Sequence, residues 1–213
     1  MNTLDYLKYI VEQIHTVIVA TVDDEGLPVT AAIDMMDYDD SGLYFLTAKG
    51  KSFYTRLKEK EYMALTGIKG KDTMSCVAVS VRGKVKEIDS GHLTKLFAKN
   101  PYMNEIYPTE QSRQALTVFK LCEGNGEWFD LSKKPIERAL FSFGNAQKQQ
   151  EGYLITDNCI GCGSCVDVCP QSCIKANKIP FEIKQEHCLH CGNCYSVCPA
   201  GAVIRGDNDE RKI

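Results

Sequence analysis

The sequence predicts a β-rich α+β chain: a closed antiparallel β-barrel with flanking helices, followed by a small cysteine-bound domain. Three observations predict it. Between residues 16 and 143, short β-branched runs alternate with turns built on Gly and Asp. Only three stretches before residue 145 carry helical spacing, and no strand-helix-strand unit of the parallel type is evident. Nine of the eleven cysteines then fall between residues 159 and 198, eight of them in one pattern written twice.

The elements follow in order. Leu4, Leu7, Tyr9, Ile10, Val11 and Ile14 recur at helical spacing over residues 3 to 14, with Thr3 available as a cap. Thr16 to Val22 and Pro28 to Met35 read as a hairpin around Asp23-Asp24-Glu25-Gly26. A second turn, Asp37 to Gly42, leads into a short strand from Leu43 to Thr47, and an amphipathic helix runs from Ser52 to about Lys60. Strands from Tyr62 to Lys69 and Ser75 to Glu87 follow, separated by Gly70-Lys71-Asp72, and a helix from Ser90 to Asn100 is stopped by Pro101. Pro101 to Ser112 reads as irregular. Gln114 to Glu123 and Glu127 to Leu131 read as strands around a Gly124-Asn125-Gly126 turn, and Arg138 to Phe143 as the last strand. The polar segment Asn145 to Gly152 is the expected linker between domains at 1–145 and 152–206, and Asp207 to Ile213 an expected charged tail.

The cysteines read Cys159-x-x-Cys162-x-x-Cys165-x-x-x-Cys169-Pro170 and, 29 residues on, Cys188-x-x-Cys191-x-x-Cys194-x-x-x-Cys198-Pro199. Two-residue gaps aim three thiolates at one cluster, while Cys-Pro sends the fourth thiolate to the other cluster. The expected ligand sets are Cys159, Cys162, Cys165 and Cys198 for one [4Fe-4S] cluster, and Cys188, Cys191, Cys194 and Cys169 for the second. Structural zinc also uses paired C-x-x-C sets, but does not explain three evenly spaced cysteines before Cys-Pro, twice. The stretch from Tyr153 to about Arg205 resembles the bacterial two-cluster ferredoxins. Under the same shift Gly163 aligns with Gly192, Val168 with Val197, Ile174 with Val203 and Cys173 with Ala202, so Cys173 reads as a packing thiol rather than a ninth ligand. Cys76 and Cys122 read as core, and His187 and His190 as polar flanks of the second motif.

Composition narrows the partners. No apolar signal or membrane-spanning stretch opens the chain, and cysteines spent on clusters fit a reducing cytoplasm. The formal charge is -3 with no basic run, which disfavours nucleic acid. Residues 152–213 hold six Lys/Arg against seven Asp/Glu, and two clusters with their thiolates take that part to roughly -5. A redox partner protein with a basic docking patch, such as a ferredoxin or a reductase, is the expected partner.

The informative stretch of the first domain is Tyr44-Phe45-Leu46-Thr47-Ala48-Lys49-Gly50-Lys51-Ser52, where a strand delivers two lysines and two hydroxyls to a helix start that already favours an anion. Lys-Gly-Lys before a helix is also the composition of a plain solvated loop. Together with the Asp-x-x-Gly-x-Pro hairpin and Val81-Arg82-Gly83-Lys84-Val85, the order of elements over about residues 5 to 143 resembles the pyridoxamine 5'-phosphate oxidase-like split barrels that bind FMN. The resemblance implies a phosphate site on Thr47, Lys49, Lys51 and Ser52, an isoalloxazine beside Ala31, Ala32, Ile33 and Asp34, and Arg82 reaching the cofactor. It also implies a homodimer with FMN at the subunit interface. Trp128 then faces the flavin or, more simply, fills the core. The Arg-containing segment with which the oxidase holds its substrate has no counterpart here, and the chain continues into the cysteine domain instead.

The expected function is a flavin and iron-sulfur oxidoreductase passing electrons between FMN and two [4Fe-4S] clusters, with a small-molecule substrate. The rival is a non-catalytic electron carrier or redox sensor, its barrel binding FMN or another cofactor such as a deazaflavin or haem. Tyr54, Tyr38 and His92 are the candidate proton donors, and no Rossmann glycine fingerprint points to direct NAD(P)H use.

Overall fold

The structure is a computed structural model that describes residues 1–89, 91–147 and 152–206. Ser90, the middle of the expected linker and the expected tail lie outside the described residues. The chain divides into two units, Met1–Trp128 with Leu140–Lys148, and Phe129–Ala139 with Gln149–Ile213.

The first unit begins with α1 (Thr3–Tyr9), capped by a reciprocal pair in which Asn2 accepts from the Asp5 N-H and Asp5 accepts from the Asn2 N-H. The single helix expected over residues 3 to 14 instead changes pitch at Ile10 and ends as a π-helical turn, Ile10–Ile14, closed by His15 at φ 68°. Then come β1 (Thr16–Val22), β2 (Pro28–Asp34), β3 (Asp37–Asp39), β4 (Gly42–Ala48), α2 (Ser52–Lys60), β5 (Tyr62–Lys69), β6 (Val77–Ile88) and α3 (Gly91–Lys99). Two one-turn helices, α4 (Met103–Ile106) and α5 (Glu110–Arg113), occupy the segment expected to be irregular, and β7 (Leu116–Asp130) and β8 (Glu137–Phe143) follow. The β1–β2 turn is tied by Asp23, whose carboxylate accepts from the Glu25 and Leu27 N-H groups, with Gly26 at φ 80°.

The strands form one eight-stranded sheet in the order β2-β1-β5-β6-β7-β4-β3, with β8 on β7 off this path. The expected closure of the barrel is therefore corrected: β2 and β3 end the path unpaired with each other. The three-residue β3 carries too short a ladder to continue the sheet. Inward residues such as Val17, Val19, Met63, Leu65, Val79 and Phe119 make the core, where apolar burial contributes about 25 cal/mol per Å². A second cluster, including Met36, Tyr44, Leu96, Phe97 and Val118, holds α3.

The turn expected at Gly124-Asn125-Gly126 is also corrected, because β7 runs through it unbroken. A Cβ at Gly126 would fall 2.2 Å from the Phe141 ring, one at Gly124 2.6 Å from the Arg82 carbonyl, and one at Gly83 2.0 Å from the Glu123 carbonyl. These glycines make room for ring and backbone rather than reverse the chain. Cys76 and Cys122, expected in the core, are half-buried: Cys76 ends a 3₁₀ turn before β6, and Cys122 alternates with the inward Leu121. Trp128 is buried, with the Tyr6 and Tyr9 rings against it.

Charge fixes the β3–β4 corner. Buried Asp37 accepts from Lys95 at 2.9 Å and from Lys99, both on α3. Asp39 accepts from Lys120 at 2.9 Å, from Ser41 and from the Tyr44 hydroxyl. Burial works against the Asp39 charge, but these donors overcome it and hold its carboxyl at about 2, below the ordinary 3.8. Its contribution to stability is thus complete above about pH 4 and is lost as pH falls towards 2. Lys120→Met is expected to flatten the acid limb of the unfolding curve in that window while leaving the neutral fold intact, measured by circular dichroism against pH. An unchanged acid limb would remove Lys120 from this role.

In the second unit β9 (Tyr153–Ile155) pairs with β12 (Val203–Arg205), and β10 (Ile174–Lys175) with β11 (Glu182–Ile183). Two short helices lie between them, α6 (Ser164–Asp167) and α7 (Asn193–Val197). Its core is small: Tyr153, Ile174, Phe181, Ile183 and Val203 with the buried cysteines.

Candidate functional site

The two halves of the second unit are built alike down to single atoms. Gly163 and Gly192, at φ 84° and 81°, turn the chain into α6 and α7. Each helix carries the third cysteine of its motif, Cys165 or Cys194, to a buried position, while Cys162 and Cys191 stay exposed. Past each Cys-Pro the chain folds back, so that the Cys173 N-H donates to Cys169 Sγ at 3.4 Å and the Ala202 N-H to Cys198 Sγ at 3.3 Å.

Two cavities result. One is bordered by Cys169, Cys188, Cys191 and Cys194, with Cys173 also on its wall. The other is bordered by Cys159, Cys162, Cys165 and Cys198, with Ala202 on its wall. Three cysteines in each come from one half of the repeat and the fourth from the other. Burial pushes the Cys165, Cys188 and Cys194 thiols up, so ionised sulfur at these places needs a positive centre inside the ring. The donor set, four thiols at each cavity with the fourth exchanged between the two motifs, fits iron-sulfur clusters.

Residues Phe129–Ala139, the end of β7, the turn after it and the start of β8, belong to this unit. The Ile136 N-H donates to Gln171 Oε1 at 3.2 Å, and His187 Nδ1-H donates to the Ile136 carbonyl at 3.0 Å. Gln171 follows Cys169-Pro170 and His187 precedes Cys188. Half-burial, with the Arg138 charge, holds His190 down at about 4 and hence neutral at pH 7.

In the first unit, Thr47, Lys49, Lys51 and Ser52 come together where β4 meets α2. Lys51 is the helix N-cap with no side-chain cap of its own, and Lys49, Lys51 and Ser52 are exposed. Thr47 is buried and its Oγ1 has no hydrogen-bond partner. That atom is a donor and acceptor left open, which fits a polar ligand group at this junction. The four hairpin residues divide between the two faces of β2. Ala31 and Ile33 pair with the inward Val19 and Val17, whereas Ala32 and Asp34 pair with the outward Ile18 and Thr16. Arg82 shares the outward face, through Ala64 and Ala20. Around Ile18, that face carries small side chains, Ala20, Thr30, Ala32, Ala64, Thr66 and Ser80.

The pyridoxamine 5'-phosphate oxidase model matches residues 4–122, more than half of the chain. The chain belongs to that family. To the oxidase-family barrel it joins a 4Fe-4S dicluster domain, matched at residues 158–202. Among solved structures it is similar to a NimC/NimA family protein from Clostridium acetobutylicum, at 14% identity over 66% of this chain and 92% of that one, with a TM-score of 0.54. It is also similar to a protein from the same organism related to general stress protein 26, of the pyridoxinephosphate oxidase family, at 18% identity over 63% and 89%, TM-score 0.50. A third is the conserved hypothetical protein Rv2991 from Mycobacterium tuberculosis, at 15% identity over 62% and 86%, TM-score 0.51. These likenesses show the split-barrel fold. No curated protein matches the chain. An FMN-binding type of barrel and an iron-sulfur domain in one chain make this oxidase-family member a redox protein.

One cluster in the oxidase-family barrel escaped the sequence reading. His15, Tyr102 and Asp34 form a chain of hydrogen bonds: Tyr102 O-H donates to Asp34 Oδ2 at 2.8 Å, and His15 Nε2-H donates to the Tyr102 oxygen at 3.0 Å. Thr16 Oγ1-H holds the other oxygen of Asp34 at 2.6 Å. Burial and the Asp34 charge push the Tyr102 phenol up, so it stays protonated. His15 is partly exposed and takes the strained γ-turn geometry, φ 68° and ψ -70°. The positive φ of a histidine after a π-turn leaves no mark in composition, and Tyr102 lay in the segment read as irregular. Tyr54, Tyr38 and His92 are engaged elsewhere, with Glu87, Glu12 and the Tyr44 ring. Tyr102→Phe is expected to cost about 1.5–3 kcal/mol, the range for a lost hydrogen bond to a charged group, read as a lower urea midpoint. An unshifted midpoint would show that the bridge contributes nothing to the fold.

Proposed function

We propose that the chain is a flavin and iron-sulfur oxidoreductase, in which the barrel holds FMN and the second unit holds two [4Fe-4S] clusters. The single observation that carries this reading is the exchange of cysteines between the two cavities, each bordered by the four residues that the motif spacing pairs. Cys159, Cys162, Cys165 and Cys198 would hold one cluster, and Cys169, Cys188, Cys191 and Cys194 the other.

On the barrel, Thr47, Lys49, Lys51 and Ser52 would hold the phosphate of FMN. The partnerless Thr47 hydroxyl supports this, as do two exposed lysines at a helix start. Ala32 and Asp34 with Arg82 line the outward platform, whose small side chains admit a flat ring; Ala31 and Ile33 face the core and support it from below. Ile18 and Ile68 on the same face are 53% and 64% exposed, which favours a homodimer formed across it. When bound, FMN exchanges two electrons with an organic substrate and the clusters carry them singly. The chain's own part is to bind and to handle protons. Lys49 and Lys51 neutralise phosphate, and the His15-Tyr102-Asp34 chain of hydrogen bonds links the outward Asp34 to a partly exposed imidazole. That relay favours catalysis over simple electron carriage. A soluble redox protein with a basic docking patch suits the negative charge of the second unit, and among the described residues no helix is long and apolar enough to cross a membrane.

Protein purified without oxygen is expected to contain about eight irons, four for each cluster, and FMN in equal amount to chain. Eight irons without flavin would defeat the FMN half of the proposal, and flavin without iron the other half. Changing Lys49 and Lys51 to Ala is expected to weaken FMN binding by about 1.5–3 kcal/mol for each charged hydrogen bond lost, measured by fluorescence titration. Undiminished affinity would place the phosphate elsewhere.

A further inference from the structure

We propose that Cys173 sets the two clusters apart in electron affinity, making the one held by Cys169, Cys188, Cys191 and Cys194 the first to be reduced. The inference rests on the cluster reading above and concerns a residue outside both ligand sets.

The repeat supplies an internal control. At equivalent places the Cys173 N-H and the Ala202 N-H each donate to the sulfur of the preceding Cys-Pro cysteine, at 3.4 and 3.3 Å. Both residues are buried, at 4% and 1% exposure, and each lines the cavity of its own Cys-Pro cysteine. Both begin the chain's entry into a strand, at Ile174 and Val203. The backbone therefore treats the two sites alike, and at this position the side chain differs: a thiol in one, a methyl group in the other.

That thiol is aimed. Cys173 Sγ lies 3.5 Å from Cys169 Sγ, inside the distance for a hydrogen bond through sulfur. A cysteine bound to iron is a thiolate and has no proton to give, so Cys173 S-H must be the donor and Cys169 the acceptor. A donor to a ligand sulfur stabilises the more negative, reduced cluster over the oxidised one, because the added electron increases the charge on the sulfurs. Ala202 offers Cys198 no such second donor. The step is a plain one-electron reduction: the cluster gains one electron from the reductant, no bond breaks, and the Cys173 proton stays where it is. Other neighbours differ as well, His190 standing where the first half has Gly161 and Asn193 where it has Ser164, so the swap at 173 and 202 has to be tested at those two positions alone.

The experiment is potentiometry followed by electron paramagnetic resonance on the full chain with its clusters, purified without oxygen and titrated with dithionite. Wild type is expected to show two midpoints. Cys173→Ala should lower one of them by about tenfold in the reduction equilibrium, which is 59 mV for one electron, and leave the other in place. Cys173→Ser, which keeps an O-H donor, should recover part of that shift. Ala202→Cys should raise the second midpoint without moving the first. Two unmoved midpoints in a Cys173→Ala protein that retains its iron would overturn the proposal, and so would equal movement of both. Loss of four irons from Cys173→Ala would also overturn it, by making the residue part of the cluster's attachment. Should that variant fail to fold, an unmoved midpoint in Ala202→Cys overturns it instead. Absence of clusters from wild type would strike the underlying reading and is visible before any titration.

Discussion

Everything in the second unit depends on an exchange between its halves: each cavity takes three cysteines from one motif and the fourth from the other. A unit of this size buries only about 60% of the surface its unfolded chain exposes, and here the apolar core is five side chains and the cysteines themselves. Two-stranded ladders of two or three residues add little. Neither half closes its own cavity, so neither can be ordered without the other. Metal binding and folding are then one event, and the two glycines at positive φ matter because they start the helices that bring Cys165 and Cys194 inward.

The barrel solves a different problem. Its sheet buries one face of large apolar side chains and leaves the other, of mixed small, polar and apolar residues, outward, and strand alternation enforces the division. Because the path of hydrogen bonds is open at β2, that strand is an edge, with Ala32 and Asp34 on its outward side. The His15-Tyr102-Asp34 chain lies at the same end, where a change of helical pitch lifts His15 into a conformation that few residues tolerate. Charge at the opposite end of the path does structural work: Asp37 and Asp39 bind three lysines and so anchor α3 and β7 to the shortest strand.

What was legible in the sequence was what is local. Ligand spacing, the Asp23 turn, strands of alternating residues and the Thr47 to Ser52 junction all depend on neighbours within a few positions. Gly124 and Gly126 were misread as a turn because their purpose is the Phe141 and Phe143 rings, which arrive from another strand. Closure of the barrel was misjudged since it depends on which edges meet, and a three-residue strand gives no warning. Which of Ala31 to Asp34 lie outward follows from the two-residue period of the strand once its inward partners Val17 and Val19 are known. Tyr102 was invisible because its partners, 68 and 87 positions away, are joined to it only by the fold.

The assignment of Phe129–Ala139 to the second unit bears on how such a chain can be inherited. The polypeptide passes from one unit to the other three times, after Trp128, Ala139 and Lys148. A recombination event in the segment between the last barrel strand and the first cysteine would transfer the cluster-binding stretch but leave the Ile136 peptide behind, without Gln171 or His187. The donor lineage must supply those two side chains, or the recipient must rebuild its hairpin tip around replacements. The Ile136 backbone and the side chains beside Cys169 and Cys188 have to be inherited together for these two hydrogen bonds to form.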